Sequence, residues 1–122
     1  MDLLMIWCSG WKEFSSWALK EVIITRYGPP EVLQVHEKQT PVPQKDEVLI
    51  RNYFTGINFS EIMARMRLYP GAPKPPTTLG AEGCGVIESV GKDITKYEPG
   101  DRVMVFSRYA SYATHICTPE NM

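Results

Sequence analysis

The sequence predicts a mainly β domain, a barrel or sandwich of short strands with one or two short helices. Two observations predict it. Short runs rich in β-branched and aromatic residues recur along the chain, each closed by Gly, Pro or Asp. The chain has 122 residues, 43% of them hydrophobic, which suits one domain around one core.

Residues 1–19 stand apart as a leader. Leu3 to Trp7 is apolar but far shorter than the roughly 20 residues of a membrane span. Asp2 replaces a basic start and no small-residue cleavage site follows, which argues against a secretory signal. Trp7, Trp11, Phe14 and Ala18 recur at helical spacing, with Leu4 on the same stripe. The segment reads either as an amphipathic helix that docks on something or, more plainly, as a non-native leader.

From there the elements follow in order. Glu21 to Tyr27 reads as a strand ended by Gly28-Pro29-Pro30, and Val32 to Lys38 as its partner, with Leu33 and Val35 on one face. Glu47 to Phe54 is a third strand: Val48, Ile50 and Phe54 share one face, Arg51 and Tyr53 the other. Gly56 marks a bulge or a close backbone approach. Ser60 opens a short helix as its cap, with Glu61 suited to the positive end of the dipole and Ile62, Met63 and Met66 as the apolar side. Glu61 and Arg65, four apart, read as an exposed pair. Pro70 stops the helix. Further strands are expected at Val86 to Val90, Asp101 to Phe106 and Ser111 to Ile116, with Gly80, Gly83, Gly85 and Gly91 as positive-φ or tight-turn devices.

Composition excludes several functions. The net charge is −1 and no basic run is present, so nothing suggests nucleic acid. Cys8, Cys84 and Cys117 are sparse and unpaired in spacing, which suits a reducing cytosol and argues against a disulfide framework. His36 and His115 sit inside strand patterns and read as half-exposed strand residues rather than bases. Gly83-Cys84-Gly85 begins a dinucleotide-binding fingerprint, but Glu88 stands where its last glycine belongs, and a strand follows in place of a helix. No helix N-terminus is therefore available there for a pyrophosphate.

One pattern is specific: Gly80-Ala81-Glu82, two residues, Gly85, five residues, Gly91, two residues, Ile94. It resembles the zinc motif of the medium-chain dehydrogenase/reductase superfamily. Gly28-Pro29-Pro30-Glu31-Val32-Leu33, Gly56-Ile57-Asn58-Phe59 and Pro99-Gly100-Asp101-Arg102-Val103 are similar to further segments of that family, in order and at its spacing. Ala81 stands where the family's zinc enzymes carry a histidine ligand, and Asn58 where they carry a cysteine. An alanine has no donor and an amide is a poor substitute for thiolate. The resemblance therefore points to the zinc-independent branch, the quinone oxidoreductases and vesicle amine transport homologues.

That resemblance implies a GroES-like, partly open β-barrel over residues 20–122, in a chain that stops before the family's Rossmann cofactor domain. It implies NADPH as cofactor of a full-length parent, no zinc, and hydride transfer to a quinone or enone, with little activity for this chain alone. It places Asn58 at the cofactor and substrate, as a catalytic and cofactor-binding residue, and Tyr69 at the cleft mouth as a second catalytic residue. Met63 replaces a tyrosine of some relatives and Arg67 a frequent glycine. The alternative is a non-enzymatic protein associated peripherally with lipid or vesicle membranes. Glu82 reads as an acceptor of backbone N–H groups within the glycine turn. A cytoplasmic location is expected, with or without membrane contact.

Overall fold

The computed structural model describes residues 18–121. The stripe of Leu4, Trp7, Trp11 and Phe14 lies outside them. Ala18 is not helical: β1 (Ala18–Ile24) begins there, and Leu19 is buried in it, so the first strand reaches two residues into the expected leader. After a turn at Gly28-Pro29 and a short 3-10 stretch at Pro30–Val32 come β2 (Leu33–Gln39), β3 (Glu47–Thr55), α1 (Phe59–Arg65), β4 (Thr77–Thr78), β5 (Glu82–Val90), β6 (Arg102–Phe106) and β7 (His115–Pro119).

The strands form two antiparallel sheets, ordered β2-β1-β4 and β6-β5-β3-β7. Neither sheet closes on itself, as a partly open barrel requires. β1 and β2 pair from Ala18 opposite Gln39 to Ile24 opposite Leu33. The larger sheet carries a core of Val48, Ile50, Ile87, Val105 and Ile116. A smaller cluster, Ile24, Val32 and Leu79, lies under Tyr27, Tyr109 and Tyr112.

Phe54 departs from its expected place. Val48 and Ile50 are in the core, but Phe54 is 73% exposed. The β3–β5 register slips between Asn52 and Phe54, leaving Tyr53 as an extra residue. A bulge of one residue turns every later side chain to the opposite face.

Residues 111–114 are also not the start of a strand. They form a seam between the sheets. Val22 N–H donates to the Tyr112 carbonyl and Thr114 N–H to the Lys20 carbonyl, each at 2.8 Å. On the other side Asn52 N–H donates to the Thr114 carbonyl at 2.9 Å. The Asn52 side-chain amide reaches the carbonyls of Ser111 and Ala113 at 2.9 and 3.1 Å. One asparagine thus satisfies backbone acceptors that no strand neighbour would pair.

Gly80 is the glycine that the seam demands. Its φ is +100°, and a Cβ there would collide with Tyr112. Gly83 and Gly85, by contrast, lie inside β5 without a positive φ.

Candidate functional site around Asn58

α1 starts two residues earlier than its sequence suggests. Asn58, in extended conformation, is the cap, and Ser60 lies within the first turn. The determining signal is Asn58-x-x-Glu61, a capping box: the Glu61 carboxylate reaches back to accept the Asn58 N–H.

Glu61 does more than cap. It is 3% exposed. Oε1 accepts the Ala81 N–H at 2.8 Å, and Oε2 accepts the Tyr112 hydroxyl at 3.0 Å. Three donors from three parts of the chain therefore satisfy one buried carboxylate, which is what burial of a charge requires. Burial, and next the bond and charge of Glu61, hold the Tyr112 phenol well above its ordinary range. Arg65 is 8% exposed and donates to the Gly28 carbonyl, not to Glu61. The expected exposed pair is therefore two buried anchors. They tie α1 to the glycine turn on one side and to the β1–β2 hairpin on the other. The apolar side of the helix faces outward instead, with Ile62 39% and Met66 45% exposed.

Asn58 is exposed, and its side-chain Nδ2 donates to Glu82 Oε1 at 3.3 Å. The Glu82 carboxylate sits over Gly56 so closely that a Cβ there would overlap it, which is the close approach expected at this glycine, made by a side chain. Glu82 therefore takes the amide of Asn58 rather than N–H groups of its own turn. Its carbonyl accepts the Thr55 hydroxyl at 2.8 Å, and Thr55 Oγ1 also lies 2.8 Å from Ser111 Oγ. These contacts fix Asn58 between the end of β3 and the start of β5.

Tyr69 lies four residues beyond the last residue of α1. It is exposed beyond the other end of α1, with its carbonyl accepting the Ala72 N–H. Met63 lies within α1. Arg67 adopts φ +61°, the left-handed region in which glycine is at ease, and its guanidinium lies 5.5 Å from the centre of the Tyr27 ring.

The histidines divide. His36 is exposed on β2. His115 is buried on β7, with Nε2 3.4 Å from a Glu88 carboxylate oxygen and Nδ1 3.1 Å from Thr114 Oγ1, so it is an anchored residue and not a half-exposed one. Cys117 donates its thiol to Glu47 at 3.3 Å. Burial first, and then Glu47, push that thiol up to about 12.

Two positions matter for the resemblance to the zinc enzymes. Ala81 offers a methyl group, the Asn58 amide is bound to Glu82, and among the described residues no group of three His, Cys, Asp or Glu could hold a metal ion.

A strand-built frame, a glycine turn braced by a helix and an exposed polar residue at that helix's cap define a class. Residues 44–121 match the alcohol dehydrogenase GroES-like domain, and the chain belongs to that family, within the medium-chain dehydrogenase/reductase superfamily. More particularly, it is 43% identical to a quinone oxidoreductase of Pseudomonas aeruginosa over 84 residues, covering 69% of this chain and 26% of that protein. The crystal structure of the human synaptic vesicle membrane protein VAT-1 homolog-like protein aligns with a TM-score of 0.80 at 36% identity, over 85% of this chain and 33% of that one. Escherichia coli quinone oxidoreductase, solved in complex with NADPH, aligns with a TM-score of 0.74 at 32% identity, over 80% of this chain and 30% of that one. The chain thus spans about a quarter of the length of the curated relatives it matches.

Proposed function

We propose that these residues form one wall of the active site of a zinc-independent, NADPH-dependent quinone-oxidoreductase-like protein. The observation that carries this reading is Asn58, exposed at the cap of α1 with its amide held by Glu82. One N–H of the amide is committed to Glu82, and the other suits a carbonyl or ribose oxygen. NADPH, when bound, supplies the hydride that reduces a quinone or an activated alkene. The protein's part is to orient the acceptor, and that needs walls on both sides of it. The Tyr69 phenol, at the far end of α1, suits stacking on a flat acceptor at the cleft mouth.

Two experiments test the reading. Calorimetric titration of the 122-residue chain with NADPH should give no saturable heat, and micromolar binding would contradict it. Residues 18–121 grafted onto the cofactor-binding part of the E. coli enzyme should restore NADPH oxidation by a quinone. Asn58→Ala in that chimera should lower kcat/KM at least about tenfold, equivalent to ~1.4 kcal/mol of transition-state binding. An unchanged rate would remove Asn58 from the site.

A second reading is a role at a lipid surface in a cytoplasmic protein. It is favoured by exposed Ile57, Phe59, Ile62 and Leu68 around α1, and by similarity to a protein named for the synaptic vesicle membrane. The contact proposed is peripheral, made by this apolar surface; among the described residues no helix is long and apolar enough to cross a membrane. Co-sedimentation with anionic and neutral vesicles decides it, since negligible pelleting with both would remove it.

A further inference from the structure

Among the described residues, β2 and β4 are the edges of the smaller sheet, and β6 and β7 those of the larger. An edge presents unpaired N–H and carbonyl groups to any other strand, and proteins usually blunt it with charge, proline or shortness. β2 carries Glu37 and Lys38, β4 is two residues long, and β7 ends in Pro119. β6 is five residues, Arg-Val-Met-Val-Phe, with charge at its first residue only.

The register with β5 tells which groups of β6 are free. Just beyond its two ends, Ile87 N–H donates to the Asp101 carbonyl at 2.9 Å and Ser107 N–H to the Ala81 carbonyl at 2.7 Å. In the same register Gly85 lies opposite Val103 and Gly83 opposite Val105. Bonded pairs alternate along an antiparallel ladder, so Val103 and Val105 are the residues that bond to β5. Arg102, Met104 and Phe106 turn their N–H and carbonyl groups to the open side, and no backbone bond from another described segment reaches them. Their side chains also lie on the outer face, Met104 71% and Phe106 62% exposed, while Val103 and Val105 pack with the core.

We propose that β6 pairs antiparallel with β6 of a second copy of this chain, about a two-fold axis at Met104. That register sets Met104 opposite its counterpart and Arg102 opposite Phe106. The three residues share one parity, so every outward N–H meets an outward carbonyl. The strand is also complementary to itself in charge. One end is a guanidinium; the other is an aromatic ring, with the Glu82 carboxylate opposite it on β5. Two-fold pairing brings each guanidinium beside a ring, at the spacing of a cation–π contact, and symmetry makes that contact twice. Met104 and Phe106 offer on the order of 250 Å² of exposed surface per copy, about a third of what each partner brings to a standard interface. The dimer is therefore weak, held mainly by main-chain bonds, and forms at high micromolar concentration.

Sedimentation and amide hydrogen exchange of the full 122-residue chain test this together. Between micromolar and millimolar concentration the average mass should rise from one chain toward two and go no further. Over the same range the amides of Met104 and Phe106 should gain several-fold protection, while those of Val103 and Val105 are protected throughout. Met104→Lys sets two like charges opposite each other at the axis and should weaken association several-fold. Its urea midpoint should match that of wild type at low concentration, because the side chain already faces outward. Four results would each overturn the proposal. A single chain at every concentration means that the edge stays open or is covered from within the chain. Association without new protection at Met104 and Phe106 means that another surface pairs. Growth past two copies means that β6 meets a different edge. Undiminished association of a folded Met104→Lys variant means that the axis lies elsewhere. Should that variant not fold, the exchange pattern of the wild-type chain decides alone.

Discussion

The core of the larger sheet and the corner beneath α1 are both buried, but they are held by opposite chemistry. The sheet core is apolar throughout: Val48, Ile50, Ile87, Val105 and Ile116. The corner centres on a carboxylate, with Glu61 gathering donors from Asn58, Ala81 and Tyr112. Apolar burial is proportional to area and tolerant of direction. A buried carboxylate is tolerable only when its donors arrive in place, so it specifies geometry as well as contributing stability. The difference shows how Asn58 is positioned: directional bonds to Glu61 and Glu82 hold its backbone N–H and its amide, while the sheet supplies rigidity.

The contrast is most easily broken at its apolar end. Ile87→Ala should cost about 2–5 kcal/mol in urea unfolding, the usual range for a buried truncation. A cost under about 1 kcal/mol would mean that this cluster is not the core.

Acid sensitivity tests the edge between the two sheets. Burial raises the Glu21 carboxyl, but hydrogen bonds from Thr78 and Lys38, with the charges of Lys38 and His36, hold it below its ordinary value of 4.5. A carboxylate whose pKa is lower in the folded state contributes stability above its unfolded value, and loses it as pH falls through the folded one. Glu21→Gln should therefore be less stable than wild type at neutral pH, and the gap should close below pH 4.5. A gap that persists in acid would show that the contribution is not ionic.

The smallest effect is at Arg67. A non-glycine residue at φ +61° is strained, while the stacking over Tyr27 offsets part of the strain. Arg67→Ala keeps the strain and loses the stacking, whereas Arg67→Gly loses both. The glycine variant should be more stable than the alanine variant by about 1 kcal/mol. Equal midpoints would mean that the turn relaxes.

The same contrast explains what could be read from sequence. Most strands of the larger sheet were legible because period-two alternation and glycine punctuation are local. Phe54 was not, since a bulge shows only in the register with β5. Ser111 to Thr114 looked like strand because its residues suit one, yet its partners lie on two different sheets. At the site, Asn58 and Ala81 stand out in the sequence only through the family resemblance, and their hydrogen-bond partners do not. Glu61 and Arg65 were misread because four-apart opposite charges on a helix normally face water. What buries them is contact with Ala81, Tyr112 and Gly28, all distant in sequence. The Asn58-x-x-Glu61 box was present and would have placed the cap correctly, but Ser60 competes for the same role.

The central claim is that α1, and with it Asn58, is held by its polar side. Urea unfolding of Glu61→Ala beside Ile62→Ala tests this most directly, because amphipathic logic predicts the reverse order. Glu61→Ala leaves three donors without their acceptor and should cost about 3 kcal/mol. Ile62→Ala removes a partly exposed side chain and should cost less than about 1 kcal/mol. A larger loss from Ile62→Ala than from Glu61→Ala would contradict the account.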